Sequence, residues 1–253
     1  MSAHLVHDTA VLTGRSVRHV LRSPDTIVTT AVMPVAFLLL FTFVFGGAIE
    51  TGTASYVDYL LPGILIITVA SGVAYTSYRL FLDLQTGIDE RFRSMPIVRA
   101  ASLWAHVLTS LVANLVSLTA VVGVALILGF RSGAGLGAWL AVVGILVLVT
   151  LALTWVAVVA GLSAKSVDGA SAFSYPLILL PFVSSAFVPT ASMPGPVRWF
   201  AENQPVTSIV DAIRSLLAER PLGAELGVAL AWCVGVLAVA VVAAVLLQRR
   251  RIG

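Results

Sequence analysis

The sequence predicts an all-α integral membrane protein with six transmembrane helices, and two observations carry that prediction. Hydrophobic residues make up 59% of the 253 positions, above the roughly 45–50% usual in soluble domains, and the mean hydropathy is +1.02. Charged residues, only 11% of the chain, leave six long gaps free of Asp, Glu, Lys and Arg, at 26–49, 59–78, 100–130, 132–164, 169–197 and 226–248. A spanning helix needs roughly 20 apolar residues, and a Lys, Arg or Asp at its centre costs about 2.5–3.5 kcal/mol. Even the shortest gap, 59–78, meets that length.

The basic residues orient the path. Arg15, Arg18, Arg22, Arg79, Arg91, Arg93, Arg99, Lys165, Arg249, Arg250 and Arg251 fall on one side of it, eleven of 15. Arg131, Arg198, Arg214 and Arg220 fall on the other, three of them in one long loop. Positive loops stay inside, so both termini and the 79–99 loop are expected in the cytoplasm, in a multi-pass protein of the cytoplasmic membrane. The net charge of +3 comes from these topological arginines and calls for no nucleic-acid partner. Asp8 and Asp25 precede a first apolar run too long for a signal-peptide core, so no cleavable signal is expected. Cys233 is the sole cysteine and permits neither an intramolecular disulfide nor a Cys-based metal site.

Residues 5–22 read as an interfacial helix. At about 100° per residue, Val6, Ala10, Val17, Val20 and Leu21 gather opposite Arg15, Arg18 and Arg22, while Val11 and Leu12 spoil the pattern. Such a helix lies in the membrane plane with its basic side on anionic head groups; the alternative is a disordered basic tail. Ser23-Pro24-Asp25 then turns the chain into span one. Pro34 in span one and Pro176 and Pro181 in span five each free a backbone carbonyl for neighbouring helices or water to satisfy.

Residues 188–222 are too charged and too short of apolar sequence to cross. Pro205 suits the first turn of a helix, and Val206, Ile209, Val210, Ile213, Leu216 and Leu217 recur at helical spacing. This segment is expected to cap the outer leaflet or dip into it before span six. Gly223, Gly227, Ala231 and Gly235 open that last span, small residues every four positions. Such a stripe admits close helix approach, within the subunit or in a dimer.

The chemistry is sparse. Lys165 is the only lysine and follows Ala164, so no phosphate-binding loop of the form GxxxxGK(S/T) exists. No HExxH, GxSxG or membrane-embedded acidic pair occurs, which disfavours an intramembrane enzyme. An ion-driven transporter usually carries an ionisable group near mid-membrane; the one candidate is His106, near the cytoplasmic end of span three. His106, Ser110, Asn114 and Ser117 share one face of that span. They either line a substrate path or supply interhelical hydrogen bonds worth roughly 0.6 kcal/mol each.

The densest charge lies at 79–99, with four Arg, two Asp and one Glu between uncharged runs. Gly87 opens a segment in which Ile88, Phe92 and Met95 form an apolar edge. Asp89, Glu90, Arg91 and Arg93 cover the rest, and Pro96 disfavours helix at Met95. The prediction is a short helix held at the membrane surface. Phe92 would anchor a partner's hydrophobic pocket, with the charges setting orientation. A solvated loop obeying the positive-inside rule explains the arginines but not the spacing.

GIDERFRSMPIVRAA, at 87–101, resembles the cytoplasmic loop of type-2 ABC export permeases, especially the daunorubicin-resistance (Drr) type. There a Gly followed by an acidic–Arg–hydrophobic run ends in Pro near a basic residue, matched here by Gly87, Glu90, Arg91, Phe92, Pro96 and Arg99. Pro189, Met193-Pro194, Trp199, Gln204-Pro205-Val206-Thr207 and Arg214 resemble the same family's pattern after span five, and 5–22 resembles its elbow helix. Leu103-Trp104-Ala105-His106 departs from the Gly then Lys or Arg that many relatives carry.

The resemblance implies one permease domain over 1–253, with a coupling helix inside 79–99 and a re-entrant segment at 188–222. It implies a separate ABC ATPase subunit that binds ATP and Mg, leaving this chain no cofactor, no metal and no catalytic role. A second permease chain, identical or related, would complete the assembly in contact with membrane lipids. Gly87, Glu90, Arg91, Phe92, Arg93, Met95 and Pro96 would take the ATPase stroke. The implied cargo is a hydrophobic drug, antibiotic or natural product moved outward. Export of a lipid or glycan is the alternative within the family, and a secondary transporter or channel the alternative outside it.

Overall fold

A computed structural model describes residues 14, 24–47, 49, 55–86 and 99–250, and all regular structure among them is helical. The expected elbow helix at 5–22, apart from residue 14, and the coupling residues Gly87, Glu90, Arg91, Phe92, Arg93, Met95 and Pro96 lie outside the described residues. In chain order the elements are α1 (Pro24–Leu40), which runs on into a π-helical turn at Phe41–Phe45, then α2 (Tyr56–Gln85), α3 (Arg99–Ile127) and α4 (Leu136–Ser163). The short helices α5 (Val167–Ala172) and α6 (Ser174–Leu179) follow, with 3-10 turns at Leu180–Val183 and Thr190–Ser192. The last elements are α7 (Gly195–Asn203), α8 (Pro205–Leu217) and α9 (Ala224–Arg250).

Among the described residues four helices are long and apolar enough to cross a membrane, over Tyr56–Gln85, Leu103–Ile127, Leu136–Ser163 and Ala224–Gln248. They coincide with predicted spans two, three, four and six. Shorter apolar helices, Ala31–Phe45 and Val167–Val183, occupy the first and fifth gaps. The fifth span departs from its expectation as one membrane-crossing helix ahead of the external segment at 188–222. Pro176 stands in the first turn of α6, and Pro181 is the second residue of a 3-10 turn. N–H groups in a first turn have no intrahelical partner to lose. Each proline therefore starts a new short helix instead of kinking a long one.

Helices α2, α4 and α9 run in one direction through the bundle and α3 runs in the other. At one end the Arg131 backbone N–H reaches Asp58 (3.5 Å) and Ser132 Oγ donates to the Leu217 carbonyl (2.7 Å), joining the start of α2, the end of α3 and the end of α8. At the other end His106 Nε2 lies 3.3 Å from Asp83 Oδ2, and Gly161 packs on Ser77 and Leu80. The centre of the bundle is α2, which touches α1, α3, α4, α5, α6 and α8. In its most apolar 18-residue window 78% of residues are buried, against 17% for α9. Leu60, Leu61, Ile64, Leu65, Ile67, Val69 and Val73 of α2 anchor the main core, and a smaller cluster gathers Leu80, Leu103, Val107, Trp155, Val158, Leu162, Ala240 and Ala244.

The small-residue stripe of the last span does not pack within the subunit. Gly223, Gly227, Ala231 and Gly235 are all exposed, and a Cβ added at Gly227 or Gly235 would meet nothing within 4 Å. The inward stripe of α9 is instead Ala229, Cys233, Ala240 and Ala244, all buried. Gly227, Ala231 and Gly235 are each two residues from Ala229 or Cys233, about 200° around the helix, and so face away from the bundle.

Gly63 is a different case, because its missing side chain admits another segment. A Cβ there would stand 2.6 Å from Ala186 Cβ and 3.2 Å from its backbone. Overpacking of this kind costs about 1–3 kcal/mol. Gly63→Ala is expected to lower the thermal stability of the detergent-solubilised chain by that order, while Gly227→Ala leaves it unchanged or slightly higher. Equal unfolding curves for the two variants would contradict this packing.

Candidate functional site

Polar side chains inside an apolar bundle must find partners on neighbouring helices, and here they form a belt between the two hydrophobic clusters. Thr76 Oγ1 on α2 donates to Ser110 Oγ on α3 (2.8 Å), which lies 3.3 Å from Thr154 Oγ1 on α4. Asn114 Nδ2 donates to the Ser110 carbonyl (2.9 Å) and reaches its Oγ at 3.4 Å. Asn114 and Ser117 are each 1% exposed. Asn114 Oδ1 presses on Gly72, where any Cβ would overlap it. Of the predicted polar face of span three, Ser110 and Asn114 thus join one cluster packed among three helices, and Ser117 is buried on the same helix. Asn114 Oδ1, Ser77 Oγ and Thr109 Oγ1 are buried without a protein partner, each at a cost of about 1–3 kcal/mol.

His106 stands apart from that belt. Its ring pairs with Asp83 at the end of α2, the two side chains being 20% and 32% exposed. Around them lies the smaller hydrophobic cluster, where Trp104 meets Trp155 edge to face at 5.3 Å. Residues 87–98 connect these same ends of α2 and α3. Thr86 closes α2, its N–H and Oγ1 both 2.9 Å from the Leu82 carbonyl.

A second polar site holds the opposite end together. Gln204 caps α8 by accepting from the Val206 N–H (3.1 Å) and donates to the Val183 carbonyl (3.2 Å). Pro205 follows as the first helical residue, where its missing N–H costs nothing. Thr207 Oγ1 donates to the Ala201 carbonyl and accepts from the Ser185 N–H (3.3 Å). These residues of the Gln-Pro-Val-Thr run stitch α7 and α8 to the end of the broken fifth segment. The six apolar residues of α8 are all buried by protein, against α2, α4 and α9, so its stripe faces the bundle and not lipid.

Arg214 projects from that buried face. Its Nη1 pairs with Asp211 Oδ1 (2.6 Å), Nε and Nη2 donate to the Tyr59 carbonyl (3.4 and 3.1 Å), and Nη2 donates to the Ser185 carbonyl (2.8 Å). The guanidinium carbon lies 3.8 Å from the Tyr59 ring centre. Pro62, inside α2, removes the intrahelical donor of the Asp58 carbonyl, and the Tyr59 carbonyl beside it takes Arg214 as an outside donor. Ser185 Oγ donates to Asp211 at 2.7 Å. Burial pushes the Asp211 carboxyl above its ordinary range, opposed by the Ser185 hydroxyl and the Arg214 charge.

Arg214 enters the sequence reading as an orientation charge and part of a family pattern, while Tyr59, Ser185 and Asp211 carry no role there. A signal was present: at about 100° per residue Arg214 falls about 40° past Val210, at the border of the arc of Val206, Val210, Ile213 and Leu217. Trp199, from the same pattern, is 68% exposed on α7. No group of three or more His, Cys, Asp or Glu that could hold a metal occurs among the described residues.

The family model described as ABC-2 type transporter matches residues 7–218. The chain is 31% identical over 201 residues to the daunorubicin resistance ABC transporter permease protein DrrB1 of Streptomyces coeruleorubidus, covering 77% of this chain and 69% of that one. It is 26% identical over 247 residues to the probable doxorubicin resistance ABC transporter permease protein DrrC of Mycobacterium tuberculosis strain H37Rv, covering 97% and 89%.

Arg214→Ala would leave Asp211 with the Ser185 hydroxyl alone and strip the Tyr59 and Ser185 carbonyls of charged donors. Because the Asp211 side chain keeps 38% exposure, the expected loss is roughly 2–3 kcal/mol and not the larger figure of a fully buried pair. Thermal unfolding in detergent checks this. Arg214→Lys, which cannot serve the three acceptors as a planar fork, should recover only part of the loss.

Proposed function

The chain belongs to the ABC-2 type transporter family, the permease subunits of ABC transporters, and from that premise we propose that it exports hydrophobic drugs or natural products across the cytoplasmic membrane with a separate ATPase subunit. The single observation that carries this reading is that its drug-resistance permease relatives align along most of its length. In this reading the shorter helices Ala31–Phe45 and Val167–Val183 complete six spans. The end bearing Asp83 and His106 faces the cytoplasm with both chain termini, and the end bearing Arg131 and Arg214 faces outward, as the distribution of basic residues requires.

The ATPase partner binds ATP and Mg, and this chain works in a dimer with an identical or related permease. Closure of the ATPases pushes on the Glu90–Arg91–Phe92–Arg93 stretch between Gly87 and Pro96, with Met95 and Phe92 seated in the partner. The push enters α2 and α3 through the backbone. It passes to α4 and α9 through the cluster of Leu80, Leu103, Trp155, Ala240 and Ala244. Arg91→Glu reverses a docking charge and Phe92→Ala removes the anchor. Both are expected to abolish drug efflux from intact cells while membrane expression holds; efflux at the wild-type rate in both would sink the docking reading.

The buried oxygens of Ser77, Thr109 and Asn114 that lack protein partners favour a second role for the α2–α3 seam. Ser110, Asn114 and Ser117 would line the cargo path when that seam opens, with His106 outside it at the Asp83 end. Asn114→Leu is then expected to change which compounds are exported, at unchanged membrane insertion. An unaltered cargo profile would assign the face to interhelical bonding alone.

A further inference from the structure

We propose that Asp83 and His106 are positioning residues of the coupling segment, a pin that makes the ends of α2 and α3 move as one body under load. The inference rests on the reading that residues 87–96 receive the ATPase stroke. It goes beyond that reading in naming what stops the stroke from prying the two helices apart.

Residues 87–98 join α2 to α3, so any force on them acts on two helix ends at once. Two responses are open to the pair of helices. They shift together and drive the bundle, or they slide past each other and the stroke is lost in the loop. Apolar contact between them, through Leu80, Leu103 and Val107, is non-directional and tolerates sliding and rotation. A pair of polar atoms held at 3.3 Å, His106 Nε2 and Asp83 Oδ2, fixes register along both axes.

Its placement fits that task. Asp83 lies in the last turn of α2, closed immediately after by Thr86. Leu80, about one turn deeper along α2 than Asp83, and Leu103, about one turn nearer the connecting segment than His106, are both buried. Arg79, which shares a helix face with Asp83 at i−4, lies over the Tyr75 ring at 5.8 Å. The carboxylate instead reaches across to α3. Deeper in the bundle the next described polar link between the two helices is Thr76 to Ser110, two turns down α2 from Asp83. The pin therefore guards the stretch nearest the load. His106 also ends Leu103-Trp104-Ala105-His106, where the sequence departs from the Gly then Lys or Arg of many relatives.

A partly exposed pair of this kind contributes little to stability, so its loss should leave a folded chain. The test uses the full chain reconstituted with its ATPase subunit in proteoliposomes, with doxorubicin as the probe. Asp83→Asn and His106→Leu are each expected to lower doxorubicin moved per ATP hydrolysed at least about fivefold. ATPase copurification and the hydrolysis rate should stay within about twofold of wild type. The exchanged variant Asp83→His/His106→Asp should recover at least half of the wild-type ratio, which a purely structural role at either position would not produce. A wild-type ratio in either single variant overturns the proposal, as does an exchange that recovers nothing. A wild-type chain that captures no ATPase overturns the coupling reading itself, a result distinguishable from failure of the pin.

Discussion

The constraint on which this structure depends is that α2 is surrounded by protein. A helix in lipid can leave large apolar side chains on its outer face at no cost, as α9 does with Val234, Val239 and Val242. A helix packed on nearly every side cannot, because each position must fit a neighbour. That is why glycine stands at Gly63 and Gly72, where Ala186 and Asn114 press on the backbone. It is also why Thr76 and Tyr59 find their partners across helix boundaries, in Ser110 and Arg214.

From that axis the bundle divides along its length. The main core occupies the Arg214 end and the middle, while the smaller cluster of Leu80, Leu103, Val107 and Trp155 occupies the Asp83 end. Thr76, Ser110, Asn114 and Thr154 lie between the clusters. Hydroxyls and amides can exchange partners with little change in energy, whereas interlocked apolar side chains resist gradual deformation. A polar belt between two apolar blocks is a place for relative movement. At the far end Gln204, Thr207 and Arg214 tie α8 both to α2 and to the end of the fifth segment. Movement of α2 there carries the α7–α8 hairpin with it.

Much of the architecture was legible because lipid imposes a simple rule on charge. The gaps at 59–78, 100–130, 132–164 and 226–248 each hold a long helix, and the period of Val206, Ile209, Val210 and Ile213 marks α8. What was not legible depends on tertiary direction. The spacing of Gly227, Ala231 and Gly235 says that one face of α9 is smooth but not which way it points. The apolar run at 169–197 says nothing of breaks, although Pro176 and Pro181 in it are both able to begin helices. Arg214 was hidden by a sound rule applied to the wrong residue: most arginines near a membrane mark topology, and this one is buried. Within the polar face of span three, the pattern grouped His106 with Ser110 and Asn114. Packing separates it, because its ring pairs with the Asp83 carboxylate in the last turn of α2.

The central claim is that this chain does no work alone and is driven from the cytoplasmic side by a partner that hydrolyses ATP. Uptake of a fluorescent hydrophobic drug into inside-out proteoliposomes tests it most directly, comparing the chain alone with the chain plus its ATPase subunit, with and without ATP and with and without an imposed proton or sodium gradient. The account predicts uptake only when ATPase and ATP are both present, with no dependence on either gradient. Gradient-driven uptake by the chain alone would contradict it.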